Sequence, residues 1–406
     1  CSKRGIEKII KGEKKMISKF KLCNAGQGLF YIGEFDRSKG EKFKFIYDCG
    51  GNNISGAINQ HITKGEVIDM LVISHFDDDH INGLPDLFAY LYLIAFDFCN
   101  VFAITVRAGF KIKRIFIPYY RGKEDYLLLM AYVYGNGATF DKVDEIVLVS
   151  TSEKIKDERA DEQDFNEIRI GDFSDIDGYR LPNTKIKEIG NTVLSVEGKW
   201  IFKFYNARIR VNTNIIISDI DNLISNNNCK DLEALLKRKP NVAKAGLRRI
   251  YSNYCSSKYN NSKQNQSSLC LYHAPIEREI GGMYLMLDNG MRFGGYIGMP
   301  RFGTMLTGDI SFKTKTKTQN YDDFIKHYEK EAYNTGIFLL PHHGANNNWN
   351  SFILRDFIWA PIFLNSSGIN NKFKHPGIMV IGELIMNERT VFCASEYLTV
   401  EYHIFF

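Results

Sequence analysis

Six consecutive residues in "SHFDDDHINGL", His75 to His80, combine two histidines with three aspartates directly after an apolar run. Imidazole and carboxylate groups are suitable ligands for Zn²⁺, Mn²⁺ or Fe. A tight loop here could turn His75 and Asp77 toward one cation and Asp79 and His80 toward a second, with Asp78 facing outward. An acidic, capped helix start would explain one aspartate but neither histidine. The stretch therefore predicts half of a metal site.

Two later segments could supply the other half. Asp309 follows Gly308 at the end of the apolar run in "MLTGDI", where its two carboxylate oxygens could bridge two cations. His342 and His343 follow the continuous apolar run of "FLLPHHGAN". Because the side chains of neighbouring residues usually diverge, we expect one of these histidines to bind metal and the other to face substrate. We favour His343 as the ligand.

The segment "LNSSGINNKFKHPGIM" adds a small polar loop and one more histidine. Backbone N–H groups and hydroxyls in such a loop suit a phosphate group. His375 precedes a proline, which favours an extended backbone, and it could donate a proton to a leaving group or contact substrate. The candidate substrate-binding residues are Ser366, Ser367 and Asn371.

Strands must position these groups. "DMLVISH" is typical of a fully buried strand, and "SKFKLC", "GLFYIGEF" and "KFKFIYDCGG" predict three earlier strands separated by turns. Strands and helices alternate at both ends of the chain, which predicts layered sheets with outer helices. We interpret the apolar stretch Leu87–Val106 as a buried helix rather than a membrane span, because Asp97 and Asn100 near its middle would be costly in lipid.

The region 151–264 differs from the rest of the chain in its sequence pattern and is interpreted as a mostly helical insertion. Within it, "GKWIFKFYNARIRV" alternates apolar and polar residues like a strand. Residues 1–15 are basic and predict a flexible extension. The remaining domain would then span 16–406, interrupted by the insertion.

Composition sets broad limits. With 406 residues, 44% hydrophobic and 24% charged, the chain is typical of a globular protein, and its net charge of +5 is too small by itself to indicate nucleic acid. Eight scattered cysteines with no CxxC pair indicate free thiols in a reducing compartment, so we expect a cytoplasmic protein. A lipid anchor on Cys1 is the minor alternative.

The combination of "SHFDDDHINGL", "LTGDI" and "PHHG" resembles the metallo-β-lactamase fold superfamily. The resemblance implies an α/β fold (α+β), an αββα sandwich, and a dinuclear site built on an HxHxDH motif. Asp77, the double histidine, "NAGQGLFYIG…FIYDCGG", "NQSSLCLY" and the "N…HP" tail resemble the ComEC-like branch, here as a stand-alone module. The match covers about 16–120 and 265–385.

The family pattern implies two sets of ligands for two divalent ions, Zn²⁺ or Mn²⁺. Metal one would be held by His75 and Asp77, metal two by Asp79, His80 and His343, and Asp309 would bridge them. Most relatives supply a further histidine between the first motif and the bridging aspartate. His273, in "LYHAP", is the single candidate here and does not clearly fit, so metal one would lack a protein ligand.

The resemblance implies a metal-dependent hydrolase, with Asp79, His342 and His375 as the candidate catalytic residues. Three carboxylates leave two divalent cations with one net positive charge, which suits an anionic phosphodiester. We therefore expect a nuclease acting on DNA. ComEC-like modules also resemble components of bacterial anti-phage systems, which makes neighbouring gene products possible partners. The alternatives are a lactone, ester or thioester hydrolase on the same metals, and a degenerate, non-enzymatic binding module.

Basic residues interleaved with aromatic ones offer a possible nucleic-acid surface. They lie in Arg107–Arg114, in "YYRGK" and in "LLKRKPNVAKAGLRRIY". Solvated strand and helix faces explain the same pattern.

Overall fold

A computed structural model describes most of the chain. The described residues are 17–37, 40–88, 91–94, 104–106, 110–119, 143–150, 174–175, 185–190, 193–207, 213–255, 268–276, 281–288, 292–297, 301–313 and 319–405. The predicted extension 1–15, Cys1, and most of "YYRGK" lie outside them.

A large mixed sheet forms one half of the described chain. Its twelve strands are β1 (Ile17–Leu22), β2 (Phe30–Asp36), β3 (Lys42–Cys49), β4 (Val67–Ile68), β5 (Met70–Val72), β8 (Lys111–Tyr119), β9 (Val143–Ser150), β10 (Ser174–Asp175), β11 (Lys185–Ile189), β15 (Gly282–Leu287), β16 (Arg292–Ile297) and β21 (Val400–Phe405). Their spatial order is β10-β11-β9-β8-β5-β3-β2-β1-β21-β15-β16, with β4 paired to β8. The buried strand predicted from "DMLVISH" is confirmed as β5.

A second sheet packs against the first. Its seven strands, in spatial order, are β12 (Val193–Val196), β13 (Trp200–Tyr205), β14 (Cys270–Pro275), β17 (Gly303–Leu306), β18 (Thr335–Leu339), β19 (Ile362–Ser366) and β20 (Thr390–Ala394). From β17 to β20 the strands run parallel. Their carboxyl ends therefore meet at one edge of the sheet, which is where α/β folds place their sites.

Ten helices are described in the resolved ranges. They are α1 (Ile54–His61), α2 (Asp78–Ile81), α3 (Leu84–Phe88), α4 (Thr213–Asn226), α5 (Leu232–Arg238), α6 (Pro240–Cys255), α7 (Gln319–His327), α8 (Glu329–Asn334), α9 (Phe352–Asp356) and α10 (Ile378–Met386). No helix among the described residues is long and apolar enough to cross a membrane.

Three apolar layers hold the architecture together. Side chains on a strand alternate between its two faces, so Phe45 and Tyr47 pack between the sheets while Ile46 packs under the helices of the first sheet. In the second sheet Leu339 faces the inter-sheet core, and Phe338 packs under the outer helices. The order helix–sheet–sheet–helix confirms the predicted mixed α/β class and is consistent with the αββα sandwich of the metallo-β-lactamase fold.

The helix predicted for Leu87–Val106 is wrong. Helix α3 ends at Phe88, and two short antiparallel strands follow, β6 (Leu91–Ile94) and β7 (Ile104–Val106). Asp97 and Asn100 lie outside the described residues. The run is rich in aromatic and β-branched residues, which favour strands, and a continuous apolar run does not distinguish a strand period from a helix period.

The predicted insertion 151–264 contains two kinds of structure. Residues 185–205 contribute strands to both sheets, because β11 pairs with β9 and β13 pairs with β14. The strand predicted from "GKWIFKFYNARIRV" is thus confirmed, and the helices described in this region lie within 213–255. Leu235 and Leu247 of those helices share an apolar cluster with Phe76 and Ile81. The helical part therefore packs beside the histidine–aspartate loop.

Candidate metal centre

Four chain segments bring the candidate ligands to one edge of the sandwich. His75 follows β5, Asp309 follows β17, and His342 and His343 follow β18 in a 3-10 turn, while α2 carries His80. Backbone hydrogen bonds join these exits: the Leu269 N–H donates to the Ser74 carbonyl at 2.8 Å, and the His342 N–H donates to the Gly308 carbonyl at 2.9 Å. The loops are thus fixed to one another as well as to their strands.

One half of the cluster gathers around oxygen Oδ1 of Asp309. His80 Nε2 lies 3.2 Å from this oxygen, and His343 Nε2 lies 3.9 Å from it. His343 Nε2 also lies 3.3 Å from Asp79 Oδ2. Asp79, His80 and His343 each offer one donor atom, and these atoms all lie within 4.8 Å of one another. We name this set the inner half.

The other half gathers around oxygen Oδ2 of Asp309. His75 Nε2 lies 3.7 Å from that oxygen and 3.5 Å from Asp77 Oδ2, and His342 Nε2 lies 3.5 Å from the same Asp309 oxygen. His75 and Asp309 also form a compact group with His80. We name the set of His75, Asp77 and His342 the outer half, because His342 is partly exposed to solvent whereas its neighbour His343, in the inner half, is buried.

The arrangement fits divalent metal ions. Two nitrogen or oxygen ligands about 2.0–2.1 Å from a tetrahedral ion lie about 3.3 Å apart, close to the 3.2 Å between His80 and Asp309, the 3.3 Å between His343 and Asp79 and the 3.5 Å between His75 and Asp77. The Nε2 atoms of His75, His80 and His343 are buried and have no hydrogen-bond partner. Buried nitrogens without partners are costly unless a ligand satisfies them. The six residues predicted to bind metal therefore lie together, with His342 added to them.

Hydrogen bonds from residues that surround the cluster orient its imidazoles. Most of these surrounding residues were not predicted from the sequence. His80 Nδ1 donates to Asp48 Oδ2 at 2.8 Å, and the backbone N–H of Ser74 donates to the other oxygen of Asp48 at 2.6 Å. His75 Nδ1 lies 2.9 Å from the Ser74 hydroxyl and 3.3 Å from that of Ser268. Such bonds fix the tautomer so that Nε2 points to the metal.

The signal for Asp48 was its position at the end of a strand in "YDCGG". The glycines that follow it allow α2 to approach, since a Cβ at Gly50 would meet the backbone nitrogen of His80 at 2.4 Å. Ser74 and Ser268 carry no comparable signal, because a serine near a strand end is common. Their roles depend on how the two sheets pack.

Both histidines of the pair turn toward Asp309, contrary to the expectation that they diverge. His342 (φ 48°) and His343 (φ 54°) adopt the left-handed conformation, and Gly344 (φ 75°) continues it. This conformation costs a non-glycine residue about 1–3 kcal/mol and persists where the surroundings impose it, typically at functional sites. His343 Nδ1 donates to the Ser366 carbonyl at 2.6 Å, which fixes its ring.

The charges of the cluster shift its pKa values strongly. Burial alone would lower the pKa of His80, but the carboxylates of Asp309 and Asp48 outweigh it and raise this pKa well above its usual value. Burial is likewise outweighed at His343, whose pKa Asp309 and Asp79 raise. Despite burial, the surrounding imidazoles hold the pKa values of Asp79 and Asp309 below their usual range. Without metal, protons bound to His80 and His343 thus supply the positive charge that metal ions would otherwise supply.

His375 lies beside the cluster rather than within it. Its ring stacks 6.2 Å from that of His343 and 5.7 Å from that of the exposed Phe373. Burial, together with His342 and His343, lowers the pKa of His375 to about 4. The ring is therefore uncharged at neutral pH, and the two roles expected from the sequence, donation of a proton to a leaving group and contact with substrate, stay predictions.

The predicted substrate-binding residues hold their own loop together. The Ser366 hydroxyl donates to the Gly28 carbonyl, and the Ser367 hydroxyl accepts from Asn365. Asn371 accepts from the backbone N–H of His375 at 2.8 Å. The Asn371 side chain thus positions His375, and substrate binding through these three residues stays a prediction.

Ion pairs occupy much of the predicted basic surface. Within Arg107–Arg114, Lys113 pairs with Asp69 at 2.7 Å and Arg114 pairs with Glu145 at 2.7 Å. This part of the surface is therefore largely neutralised, and the solvated strand face explains it. In the second basic segment, Arg248 of α6 pairs with Asp78 and so places a cation beside the metal loop.

His273 is not the missing ligand. Its Nε2 lies 2.9 Å from the Tyr31 hydroxyl, and its ring packs against Phe20 and Phe45 in the core between the sheets. Burial lowers the pKa of this histidine to about 3.

Comparisons with known proteins leave the family of the chain open. No family model matches the sequence, and no curated protein matches it. Among solved structures, a metallo-β-lactamase fold protein, YhfI from Bacillus subtilis, matches at 11% identity and a TM-score of 0.36 over 94% of this chain and 98% of that one.

Two yeast structures match at similar levels. Unliganded PDE1 matches at 8% identity and a TM-score of 0.39, over 95% of this chain and 99% of that one. A long form of RNase Z matches at 9% identity and a TM-score of 0.30, over 80% of this chain but 32% of that one. TM-scores below 0.5 at this identity do not identify a family.

Proposed function

We propose that the chain is a metal-dependent phosphodiesterase, a nuclease acting on DNA, with two divalent ions held at the edge of the sandwich. The observation that carries the proposal is the environment of Asp309. One of its oxygens faces His80 and His343, and the other faces His75 and His342. A single buried carboxylate between two imidazole pairs is suited to bridging two cations.

Two bound ions would supply a nucleophile at neutral pH and stabilise the negative charge of a phosphoryl centre. The chain's own groups would do the rest. Asp48 and the Ser366 carbonyl fix His80 and His343, so that the ligands are positioned before substrate arrives. His375, uncharged and next to His343, is placed to accept a proton from water at the edge of the centre.

The rim of the site favours a nucleic acid over a small acyl ester. Phe373 is exposed, its ring lies parallel to that of His375, and the Lys372 ammonium lies 5.0 Å from its centroid. An exposed aromatic ring with a cation beside it is how many proteins stack a base and hold its backbone. Arg248 adds a second cation next to Asp78, in the metal loop.

A cleavage assay with matched variants tests the proposal. Purified protein is incubated with single-stranded and double-stranded DNA in Mn²⁺ or Zn²⁺, beside Asp79→Ala and Asp309→Ala. Asp78→Ala is the control, because this aspartate belongs to the same turn but pairs with Arg248. We expect cleavage by the wild type and by Asp78→Ala, and none by the other two.

The alternatives have distinct outcomes in the same assay. Cleavage that survives both Asp79→Ala and Asp309→Ala would exclude this metal centre as its source. Turnover of a lactone or thioester panel with no cleavage of DNA would favour the acyl hydrolase. Less than about one metal equivalent in the wild type would favour the non-enzymatic module, because such ligands hold at least one ion tightly.

A further inference from the structure

Metal one of the proposed centre has two protein ligands besides Asp309 in the pattern expected from the sequence, His75 and Asp77. His75 Nε2 lies 3.5 Å from Asp77 Oδ2, and the Asp309 oxygen on the same side lies 3.7 Å from His75 Nε2. His75, Asp77 and Asp309 together with one water would complete a tetrahedral site. A further side chain close to the same Asp309 oxygen would make metal one five-coordinate, an expansion that zinc sites allow.

We propose that His342 supplies this further ligand, so that the two adjacent histidines bind different metals: His342 binds metal one and His343 binds metal two. The proposal rests on the two-metal centre proposed above. His342 Nε2 lies 3.5 Å from Asp309 Oδ2, the oxygen that faces His75, whereas His343 Nε2 lies 3.9 Å from Oδ1. His342 and His343 thus face different oxygens of the Asp309 carboxylate.

The backbone explains how neighbouring residues reach one carboxylate. In an extended strand their side chains would point to opposite faces. Here both residues are left-handed, with φ of 48° and 54°, and their rings lie 6.0 Å apart at an interplanar angle of 81°. The turn is fixed at both ends, by the His342 N–H on the Gly308 carbonyl and by the Gly377 N–H on the Gly344 carbonyl.

No other histidine competes for this position. The chain has nine histidines, and His75, His80 and His343 already face Asp309. His273 lies in the core, and His375 is stacked outside His343. The remaining histidines contact other parts of the fold: His61 contacts Asn24 and Thr399, His327 contacts Tyr205, and His403 contacts Tyr284 and Glu401.

His342 could act as a metal ligand or assist a leaving group, and the metal content of a His342 variant distinguishes these two roles. His342→Gly removes the imidazole at a position whose φ glycine adopts freely. If His342 is a ligand, the variant binds metal two normally but binds metal one at least about 100-fold more weakly, the upper end of the loss for an outer partner. If it assists the leaving group, both ions bind as in the wild type.

The experiment is Mn²⁺ titration of the full chain, with the equivalents bound counted in the titration, followed by electron paramagnetic resonance of the titrated protein. The wild type should hold two equivalents and show the exchange-coupled signal of a Mn²⁺ pair. His342→Gly and Asp77→Ala should each hold one equivalent and show the six-line signal of an isolated ion. His375→Ala, which alters a neighbouring ring, should keep the coupled pair.

Two controls keep the outcome decisive. Melting in EDTA shows whether each variant is folded. If His342→Gly is not folded, His342→Asn replaces it, because asparagine tolerates the left-handed region. An intact coupled pair in a folded His342 variant would overturn this inference and leave the two-metal centre standing. A wild type that binds no Mn²⁺ or Zn²⁺ would overturn both.

Discussion

On the inner half of the proposed centre, each imidazole is fixed from outside by a strong acceptor: His80 by the Asp48 carboxylate at 2.8 Å and His343 by the Ser366 carbonyl at 2.6 Å. On the outer half, His75 contacts two hydroxyls at 2.9 and 3.3 Å, and His342 is partly exposed. The inner half is thus built before metal arrives, and the outer half is assembled more loosely.

This difference indicates that the two metals are bound unequally. A rigid, oriented ligand set loses little freedom on binding, whereas a looser set must be ordered by the ion. We expect metal two, in the inner half, to bind first and to survive dialysis. Metal one should exchange readily and depend on the ion supplied.

The largest effect is expected at the residue that both halves share. Asp309→Asn removes the charge that faces four imidazoles, so we expect both metals to be lost and kcat/KM to fall by at least about 10³-fold, or ~4 kcal/mol. Metal analysis after dialysis checks the first part, and the cleavage assay checks the second. Retention of one tightly bound ion would show that the inner half does not need the bridge.

Asp48→Asn should weaken the inner half more than the outer half. The substitution removes the charge that orients His80, and the loss of such an outer partner typically costs 10–100-fold in metal affinity. Titration with Zn²⁺ should show this loss for the ion that binds first and a smaller loss for the other, because Asp48 also accepts from the Ser74 hydroxyl that contacts His75. Ser268→Ala is the matched control, because its hydroxyl contacts His75 in the outer half. Equal losses in both variants would contradict the assignment of halves.

The sequence predicted ligands for both halves but assigned His342, of the outer half, to the substrate side. His75, Asp79 and His80 follow a single buried strand, so a local pattern sufficed to place them, and a glycine before Asp309 marked another strand end. The left-handed turn of His342 depends on bonds from β17 and on the loop after β19, which no short window contains. Local patterns therefore located the donors, and long-range packing decided which metal each one faces.

The same limit explains the errors in the fold. A continuous apolar run satisfies either period, so the strand β6 was mistaken for a continuation of a helix. The strands at 185–205 lie between charged and helical stretches, and their pairing with β9 and β14 joins residues far apart in the chain. The burial of both sheets was predictable because alternation is a local property, whereas the order of strands within them was not.

A smaller effect is expected from pH in the metal-free protein. The pKa of His80 is raised in the folded chain, so its protonation stabilises the fold below the usual value of 6.5, and this contribution is lost as pH rises through the folded pKa. Asp79 and Asp309 have lowered pKa values, so they stabilise the fold above 3.8 and lose this contribution as pH falls.

In EDTA, the contribution of these three residues to the melting temperature should therefore be highest between these two values and decline above about pH 6.5. With Zn²⁺ bound, the trend should reverse in the upper range, because ligating imidazoles must lose their protons. Differential scanning fluorimetry across pH 4 to 9, with and without metal, checks both trends. Parallel curves in the two conditions would mean that the cluster does not exchange protons for metal.

The smallest effect concerns metal choice in the outer half. Asp77 lies 3.5 Å from His75 Nε2 and supplies a hard oxygen where most proteins of the resembled superfamily place an imidazole. Nitrogen ligands favour Zn²⁺ over Mn²⁺ relative to carboxylate oxygen. Asp77→His should shift the selectivity of metal one toward Zn²⁺ by about tenfold, or ~1.4 kcal/mol, with metal two unchanged. Competition titrations of Zn²⁺ against Mn²⁺ measure the shift, and a change confined to the first ion bound would place Asp77 in the inner half instead.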